Sequence, residues 1–162
     1  MNIVVHELGH ALHYLCRWPQ QIEAVEIIQH AHYSEAVPVP AQNESLGVGT
    51  LVQYLAGSVA ERIAMGERDI IRSLLSQASE TFNPFAELVN TPCRSEWDYQ
   101  AFSAILKYGD VVDVEELGAE LIHCENLLRE YLPRINLHDV TQRLQRDGRL
   151  TLTLRDVSVT VH

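Results

Sequence analysis

The sequence lacks several features that would mark a specialised class of protein. It has only three cysteines, Cys16, Cys93 and Cys124, and their odd number and wide spacing give neither a CxxC pair nor a disulfide framework. Three reduced thiols in a reducing cytosol are therefore expected. No run of about 18 apolar residues predicts a transmembrane helix, and no basic segment followed by a long apolar run indicates a secretory signal.

Positive charge is also scarce. The chain of 162 residues has 12 basic against 22 acidic residues and a formal net charge of -10. Such a chain repels phosphate backbones and anionic membrane surfaces, and no basic stripe offsets this repulsion. We therefore expect a cytoplasmic protein with no nucleic-acid partner and no membrane span. Its length and its 46% hydrophobic content fit one domain with a buried core.

Hydrophobic periodicity predicts a mainly α (α+β) fold with a small β element. Apolar residues at helical spacing predict six helices, over 2–16, 44–66, 68–78, 95–108, 114–132 and 137–146. Alternation predicts a strand over 22–28, and two prolines exclude the extended segment 37–40 from the centre of a sheet. Residues 82–92 are predicted to form a loop, since Asn83-Pro84 and Thr91-Pro92 act as breakers.

The C-terminal tail has a different pattern. Apolar residues alternate at 150, 152 and 154 and again at 157, 159 and 161, with Arg155-Asp156 between the two runs. This predicts a C-terminal β-hairpin, or one bent strand because Arg-Asp is a poor turn pair. With no repeat or linker, we expect a single domain over 1–162. Its motifs lie in about 1–109, and its C-terminal helices and hairpin lie in 113–162.

The most informative stretch is His6-Glu7-Leu8-Gly9-His10, which fits the pattern H-E-x-x-H. Residues four apart share one helix face, so His6 and His10 can both reach one zinc ion at about 2 Å. Glu7 would lie beside that ion, where it can take a proton from the water that zinc activates. Apolar residues before and between the histidines favour this interpretation over a chance match on a surface helix.

A third ligand has to come from elsewhere in the chain, because catalytic zinc usually has three protein ligands and one open position. His13 lies on the same helix face but roughly 10 Å along the axis from His6, too far to share one tetrahedral ion. The distant candidates are Glu61, Glu87, Asp98 and the pair His30 and His32.

Three stretches resemble, in order, the protease domain of the FtsH family (peptidase family M41). They are VHELGHAL at 5–12, LAGSVAER at 55–62 followed by Gly66-Glu67, and the segment from Asp98 to Tyr108-Gly109. The resemblance covers about 3–109 in patches. It implies a helical zincin-type metalloprotease domain that holds one zinc ion per chain. It also implies that Asp98 is the third ligand, with Glu61 close to the site.

The sequence departs from this family in several respects. Cys93 to Trp97 replaces a T-G-A run that the family has just before its aspartate, and the segment between Gly66 and Asp98 is longer than in the family. The family's ATPase module and membrane anchor are not present in these residues. Ser95-x-x-Asp98 also has the form of a capping box, which would occupy the carboxylate locally. Glu61 therefore stays open as an alternative metal ligand.

The resemblance also bears on substrates and partners. It implies a peptide or unfolded protein as substrate, a possible homo-oligomer, and a separate ATPase or delivery partner. The strand over 22–28 would correspond to the family's edge strand, which can bind substrate backbone. Independently of the resemblance, His30, His32 and Tyr33 after this strand could stabilise an oxyanion near the cleft, although such a cluster is more often simply a polar loop. Trp18 and Trp97 are interpreted as core or rim aromatics, not as substrate platforms.

The prediction from the sequence is a zinc-dependent metalloendopeptidase. His6, His10 and Asp98 are the predicted metal ligands, and Glu7 is the general base. Two alternatives fit part of the sequence: a regulatory protease resembling the ImmA/IrrE group, and a non-catalytic interaction module stabilised by metal. The acidic residues of the fifth helix are interpreted as its solvated face: Glu115, Glu116, Glu120 and Glu125.

Overall fold

The computed structural model describes residues 2–42, 47–108 and 113–159. Within these residues the chain is mainly helical with a small three-stranded antiparallel sheet, as predicted. The helices are α1 (Asn2–Arg17), α2 (Val48–Ala64), α3 (Ile70–Ser76), α4 (Pro84–Val89), α5 (Glu96–Tyr108), α6 (Val114–Tyr131), α7 (Leu137–Asp147) and α8 (Leu154–Val159). A short 3-10 helix, Leu132–Arg134, follows α6. None of the helices in these ranges has both the length and the apolar character needed to cross a membrane.

Helices α1 and α2 pack closely against each other because small residues lie where they meet. A Cβ atom built on Gly9 of α1 would lie 2.6 Å from the carbonyl oxygen of Ala56 and 2.6 Å from Cβ of Ala60. The missing side chain lets the two backbones approach each other directly. Fully buried leucines surround this contact on both helices, namely Leu8, Leu12, Leu51 and Leu55.

The sheet packs against α1, with strand order β2-β1-β3. The strands are β1 (Ala24–Gln29), β2 (Ser34–Val39) and β3 (Arg149–Leu152). Ile27 of β1 lies opposite Ala36 of β2 on one side and Leu150 of β3 on the other. The predicted strand 22–28 is therefore central and paired along both edges, so its assignment as the edge strand that binds substrate is wrong. Strand β2, which contains Pro38, is at an edge.

The predicted C-terminal hairpin is also wrong, because β3 pairs with β1 and is followed by helix α8. Thr153 and Asp156 start this helix with reciprocal hydrogen bonds. The N–H of Thr153 donates to Oδ2 of Asp156 at 2.8 Å, and the N–H of Asp156 donates to Oγ1 of Thr153 at 3.2 Å. Asp156, taken as a turn residue, is thus part of a capping box. Residues 160–162 of the predicted hairpin lie outside the described residues.

The loop predicted over 82–92 contains helix α4. Oδ1 of Asn83 accepts hydrogen bonds from the N–H groups of Phe85 and Ala86 at 2.9 and 3.3 Å. Pro84 occupies the first turn, where a missing N–H leaves no hydrogen bond unmade. Asn83-Pro84 is therefore a helix start, not a breaker. Gly109, which directly follows the predicted helix 95–108, lies outside the described residues.

Glu125 on α6 is buried, in contrast to its predicted place on a solvated face. Its carboxylate accepts hydrogen bonds from the N–H groups of Ile70 and Ile71 at 3.1 and 2.9 Å, and from Nη2 of Arg129 at 2.7 Å. Asp69, the residue before α3, makes no capping hydrogen bond with its side chain. Glu125 thus satisfies the first amides of α3 from another helix.

We expect Glu125→Ala to lower the free energy of unfolding by about 3 kcal/mol, because two amides and the Arg129 guanidinium lose a buried charged partner. Urea denaturation would measure this loss. Glu116→Ala, at an exposed position of the same helix, is the control and should change stability by less than about 0.5 kcal/mol. Equal losses in the two variants would contradict a capping role for Glu125.

Candidate metal centre

Three side chains meet beside α1: His6, His10 and Asp98. Nε2 of His6 lies 3.1 Å from Nε2 of His10 and 3.0 Å from Oδ2 of Asp98. Nε2 of His10 lies 3.4 Å from the same oxygen. A tetrahedral zinc ion with bonds of about 2.0–2.1 Å holds its ligand atoms about 3.3 Å apart. The three atoms therefore fit one face of a tetrahedral site and could hold a metal ion.

Hydrogen bonds behind each ring determine which nitrogen faces this point. Nδ1 of His6 donates to Oε1 of Glu61 at 2.5 Å, and Nδ1 of His10 donates to the backbone carbonyl of Gln53 at 2.8 Å. With Nδ1 protonated, each neutral imidazole directs an unprotonated Nε2 toward Asp98. Two nitrogen lone pairs and a carboxylate oxygen then converge, an arrangement that requires a cation, either a metal ion or an added proton.

The pKa values of His6 and Asp98 also indicate that this cluster favours a positive charge. Burial opposes a charge on His6, but hydrogen bonds to Asp98 and Glu61 outweigh it and raise the pKa of His6 to about 9. Burial also opposes ionisation of Asp98, yet the two histidines hold the pKa of Asp98 well below its usual range. A metal ion at this point would replace the proton, because histidine binds metal in its deprotonated form.

Glu61 supports His6 from the side of the ring that faces away from Asp98. Its carboxylate is 2% exposed and also accepts hydrogen bonds from the hydroxyl of Thr91 at 2.9 Å and the N–H of Cys93 at 3.1 Å. Burial opposes ionisation, but the hydrogen bonds from His6 and Thr91 keep the pKa of Glu61 below its usual value. The geometry thus brings Asp98, and not Glu61, to the position of a third ligand.

Asp98 forms the predicted capping box and faces the histidines with the same carboxylate. The N–H of Asp98 donates to Oγ of Ser95 at 3.0 Å, and the N–H of Ser95 donates to Oδ2 of Asp98 at 3.3 Å. Oδ2 is also the atom that contacts His6. The cap therefore holds the carboxylate at the start of α5 in a position that the histidines can share.

Glu7 and His10 line a cleft of about 670 Å³ together with Asp98. One wall of the cleft is formed by residues 32–36, which comprise the end of the turn before β2 and the first three residues of that strand. The other wall is formed by residues 94–98, just before and at the start of α5. Glu7 is 4% exposed, and burial raises the pKa of Glu7 although His10 and His6 oppose the shift. A carboxyl group of this kind next to a metal centre is suited to accepting and returning a proton.

The other predicted candidates have different partners. Nδ1 of His13 donates to Oε1 of Gln53 at 2.5 Å, and burial lowers the pKa of His13 to about 4. His13 is not among the residues whose ligand atoms converge, which agrees with its exclusion as a ligand. Oε1 of Glu87 lies 3.7 Å from Nη2 of Arg62. His30 stacks on Tyr33 with ring centroids 4.4 Å apart, and its Nε2 lies 3.3 Å from Oε1 of Glu35.

One face of α2, formed by residues 53, 57 and 61, organises both histidines. The backbone carbonyl of Gln53 accepts a hydrogen bond from His10, and the carboxylate of Glu61 accepts one from His6. Gly57, between these two residues on the helix face, has no side chain to fill the space that the imidazole rings occupy. A Cβ atom on Gly57 would lie 2.5 Å from Nε2 of His6 and 2.6 Å from Nε2 of His10. Gln53 is not among the residues predicted from the sequence, and Gly57 is included there only within the stretch LAGSVAER, with no role at the site. Their spacing of four from each other and from Glu61 is a helical signal that could have identified them.

Comparison with known proteins assigns no family to the chain. No family model matches the sequence, and no curated protein matches it. The resemblance to the FtsH protease domain therefore stays a prediction based on the motifs, and the interpretation of the site depends on the geometry just described.

We expect about one zinc ion per chain in protein purified without added metal, and loss of most of it in Asp98→Ala, which leaves only two protein ligands. Glu61→Gln should still bind zinc, but about 10–100-fold more weakly, because a carboxylate behind a ligating histidine orients the ring. Elemental analysis and chelator competition would measure stoichiometry and affinity. Zinc retained in Asp98→Ala but lost in Glu61→Gln would reverse the assignment of the ligand.

We expect Gly57→Ala to weaken zinc binding about tenfold or more, since overpacking costs on the order of 1–3 kcal/mol. The added methyl group would collide with both imidazole rings. Gly118→Ala on α6 is the matched control, because the atom nearest to its new Cβ would be the terminal Cδ1 of Leu75 at 3.1 Å. Chelator competition should give wild-type affinity for this control, and the same result for Gly57→Ala would exclude a steric role for Gly57.

Proposed function

We propose that the protein is a zinc-dependent metalloendopeptidase, which hydrolyses peptide bonds with an activated water molecule. The position of Glu7 carries this proposal. Its buried carboxyl group lies one residue from His6 and lines the same cleft as His10 and Asp98. A structural zinc site is usually closed by four protein ligands and needs no acid beside it, whereas a catalytic site keeps one position open.

Each side chain has a separate role in the proposed reaction. His6, His10 and Asp98 hold the zinc ion, which when bound supplies the Lewis acidity that activates water and polarises the amide carbonyl. Glu7 takes a proton from the attacking water and then delivers it to the leaving amine. The raised pKa of Glu7 supports the first step, because a more basic carboxylate accepts a proton from water more readily.

The outer edge of β2 supports an extended peptide as the substrate. In an antiparallel pair, hydrogen-bonded positions alternate with positions whose backbone groups point away. The N–H of His30 donates to the carbonyl of Tyr33 at 2.8 Å, so Ser34 and Ala36 direct their N–H and C=O groups away from β1. Both residues line the cleft. A substrate strand that pairs with this edge would lie beside Glu7.

The resemblance to the FtsH protease domain supports the same reaction and a similar range of substrates. Peptides and unfolded segments fit an edge that pairs with extended backbone, because a folded protein presents few such segments. On that resemblance, a separate ATPase or delivery partner would supply chains that are initially folded.

We expect Glu7→Gln to lower the rate of peptide hydrolysis about 100- to 10,000-fold while zinc content stays at the wild-type level, because the amide cannot accept a proton. A fluorogenic peptide library and elemental analysis would measure the two quantities. Glu116→Gln, far along the chain on α6, is the control and should keep full activity. Full activity in Glu7→Gln would exclude its role as the base, and zinc-loaded wild type that cleaves no peptide would exclude the peptidase.

A further inference from the structure

The two walls of the cleft carry the same pair of side-chain types. Tyr33 and Glu35 lie on the wall formed by β2 and the turn before it, and Glu96 and Trp97 lie on the wall at the start of α5. Both aromatic rings are open to solvent, with Trp97 76% and Tyr33 52% exposed. Each wall thus carries one exposed aromatic ring and, one or two residues along the chain, one carboxylate.

The charges in this part of the cleft are mostly negative. Among the described residues Glu96 makes no salt bridge, and Glu35 pairs with His30, which is charged only when protonated. The basic side chain of the lining, Arg94, lies over the ring of Tyr99 with its Cζ 5.0 Å from the centroid. The whole chain has a net charge of -10, so its overall field also favours the approach of cations over anions.

An aromatic ring beside a carboxylate favours a long cationic side chain over the alternatives. The alkyl stem of lysine or arginine covers the ring, and the charged head stays near the carboxylate and the water. A purely apolar side chain would cover the ring, but it would displace water from the carboxylate and offer no hydrogen bond in its place. An acidic side chain would be repelled by the carboxylates of both walls.

We propose that the cleft selects peptides that carry lysine or arginine close to the bond presented to the metal centre. The cationic side chain lies against Trp97 and Glu96 on one wall or Tyr33 and Glu35 on the other. This inference rests on the proposed function, because it takes the cleft as the place where a peptide binds. It gives Trp97 a direct role in substrate binding, in place of the core or rim role predicted from the sequence.

Binding to the zinc-loaded full chain carrying Glu7→Gln tests the selectivity without turnover. The probes are short fluorescein-labelled peptides that differ at one central residue, which is lysine, norleucine or glutamate. By fluorescence anisotropy at low ionic strength, the lysine peptide should bind about tenfold more tightly than the norleucine peptide, and the glutamate peptide most weakly. Added salt should narrow these differences, because it screens charges at the surface.

Substitutions separate the contribution of the aromatic ring to peptide affinity from that of the carboxylates. In the Glu7→Gln background, Trp97→Ala should lower the affinity for the lysine peptide about threefold or more. Trp97→Phe should keep most of that affinity, because an aromatic ring remains. Glu35→Gln combined with Glu96→Gln should reduce the ratio of lysine to glutamate binding. Glu116→Gln removes the same charge outside the cleft lining and should leave that ratio unchanged.

Equal binding of the three peptides, or binding of none, would overturn the selectivity. Hydrolysis of the norleucine peptide by wild type would at the same time leave the proposed peptidase intact, so failure of the inference is distinguishable from failure of the function. Tight lysine binding without any hydrolysis by wild type would support the selectivity and exclude the peptidase.

Discussion

The close backbone contact between α1 and α2 brings together the side chains of the candidate metal centre. Gly9 and Gly57 permit this contact, since a Cβ atom at either position would lie within about 2.6 Å of atoms on the opposite helix. At this separation the carbonyl of Gln53 and the carboxylate of Glu61 reach the Nδ1 atoms of the two histidines. Core packing and ligand orientation are thus one arrangement, because the helix contact that buries the leucines also turns both imidazole rings.

The charge balance of the centre follows from this packing. His6 lies between two carboxylates, those of Glu61 and Asp98, in an interior where unpaired charge is costly. A cation among the three converging atoms would offset that cost, and its binding would therefore add to the stability of the folded chain. Asp98 depends on its own helix as well, because the capping box with Ser95 starts α5 where the carboxylate meets the histidines.

The accuracy of the sequence-based predictions varies with the range of the interactions involved. The long helices are where periodicity predicts them, because a buried stripe repeats within the segment itself. The predictions of a C-terminal hairpin and of a loop over 82–92 are wrong, because helix-start residues resemble turn and breaker signals. Thr153 with Asp156 starts α8, and Asn83 with Pro84 starts α4. Glu125 was assigned to solvent because its partners, the amides of α3, lie on another helix.

The H-E-x-x-H spacing alone places His6 and His10 on one helix face with Glu7 beside them, because spacing within a single helix fixes relative position through local geometry. Motif resemblance added Asp98 and Glu61 without separating their roles. The folded arrangement of the helices distinguishes them: Asp98 faces Nε2 of His6, while Glu61 accepts a hydrogen bond from Nδ1 on the opposite side of the ring. That distinction depends on which side of one imidazole ring each distant helix approaches, and no pattern along the chain encodes the approach of one helix to another.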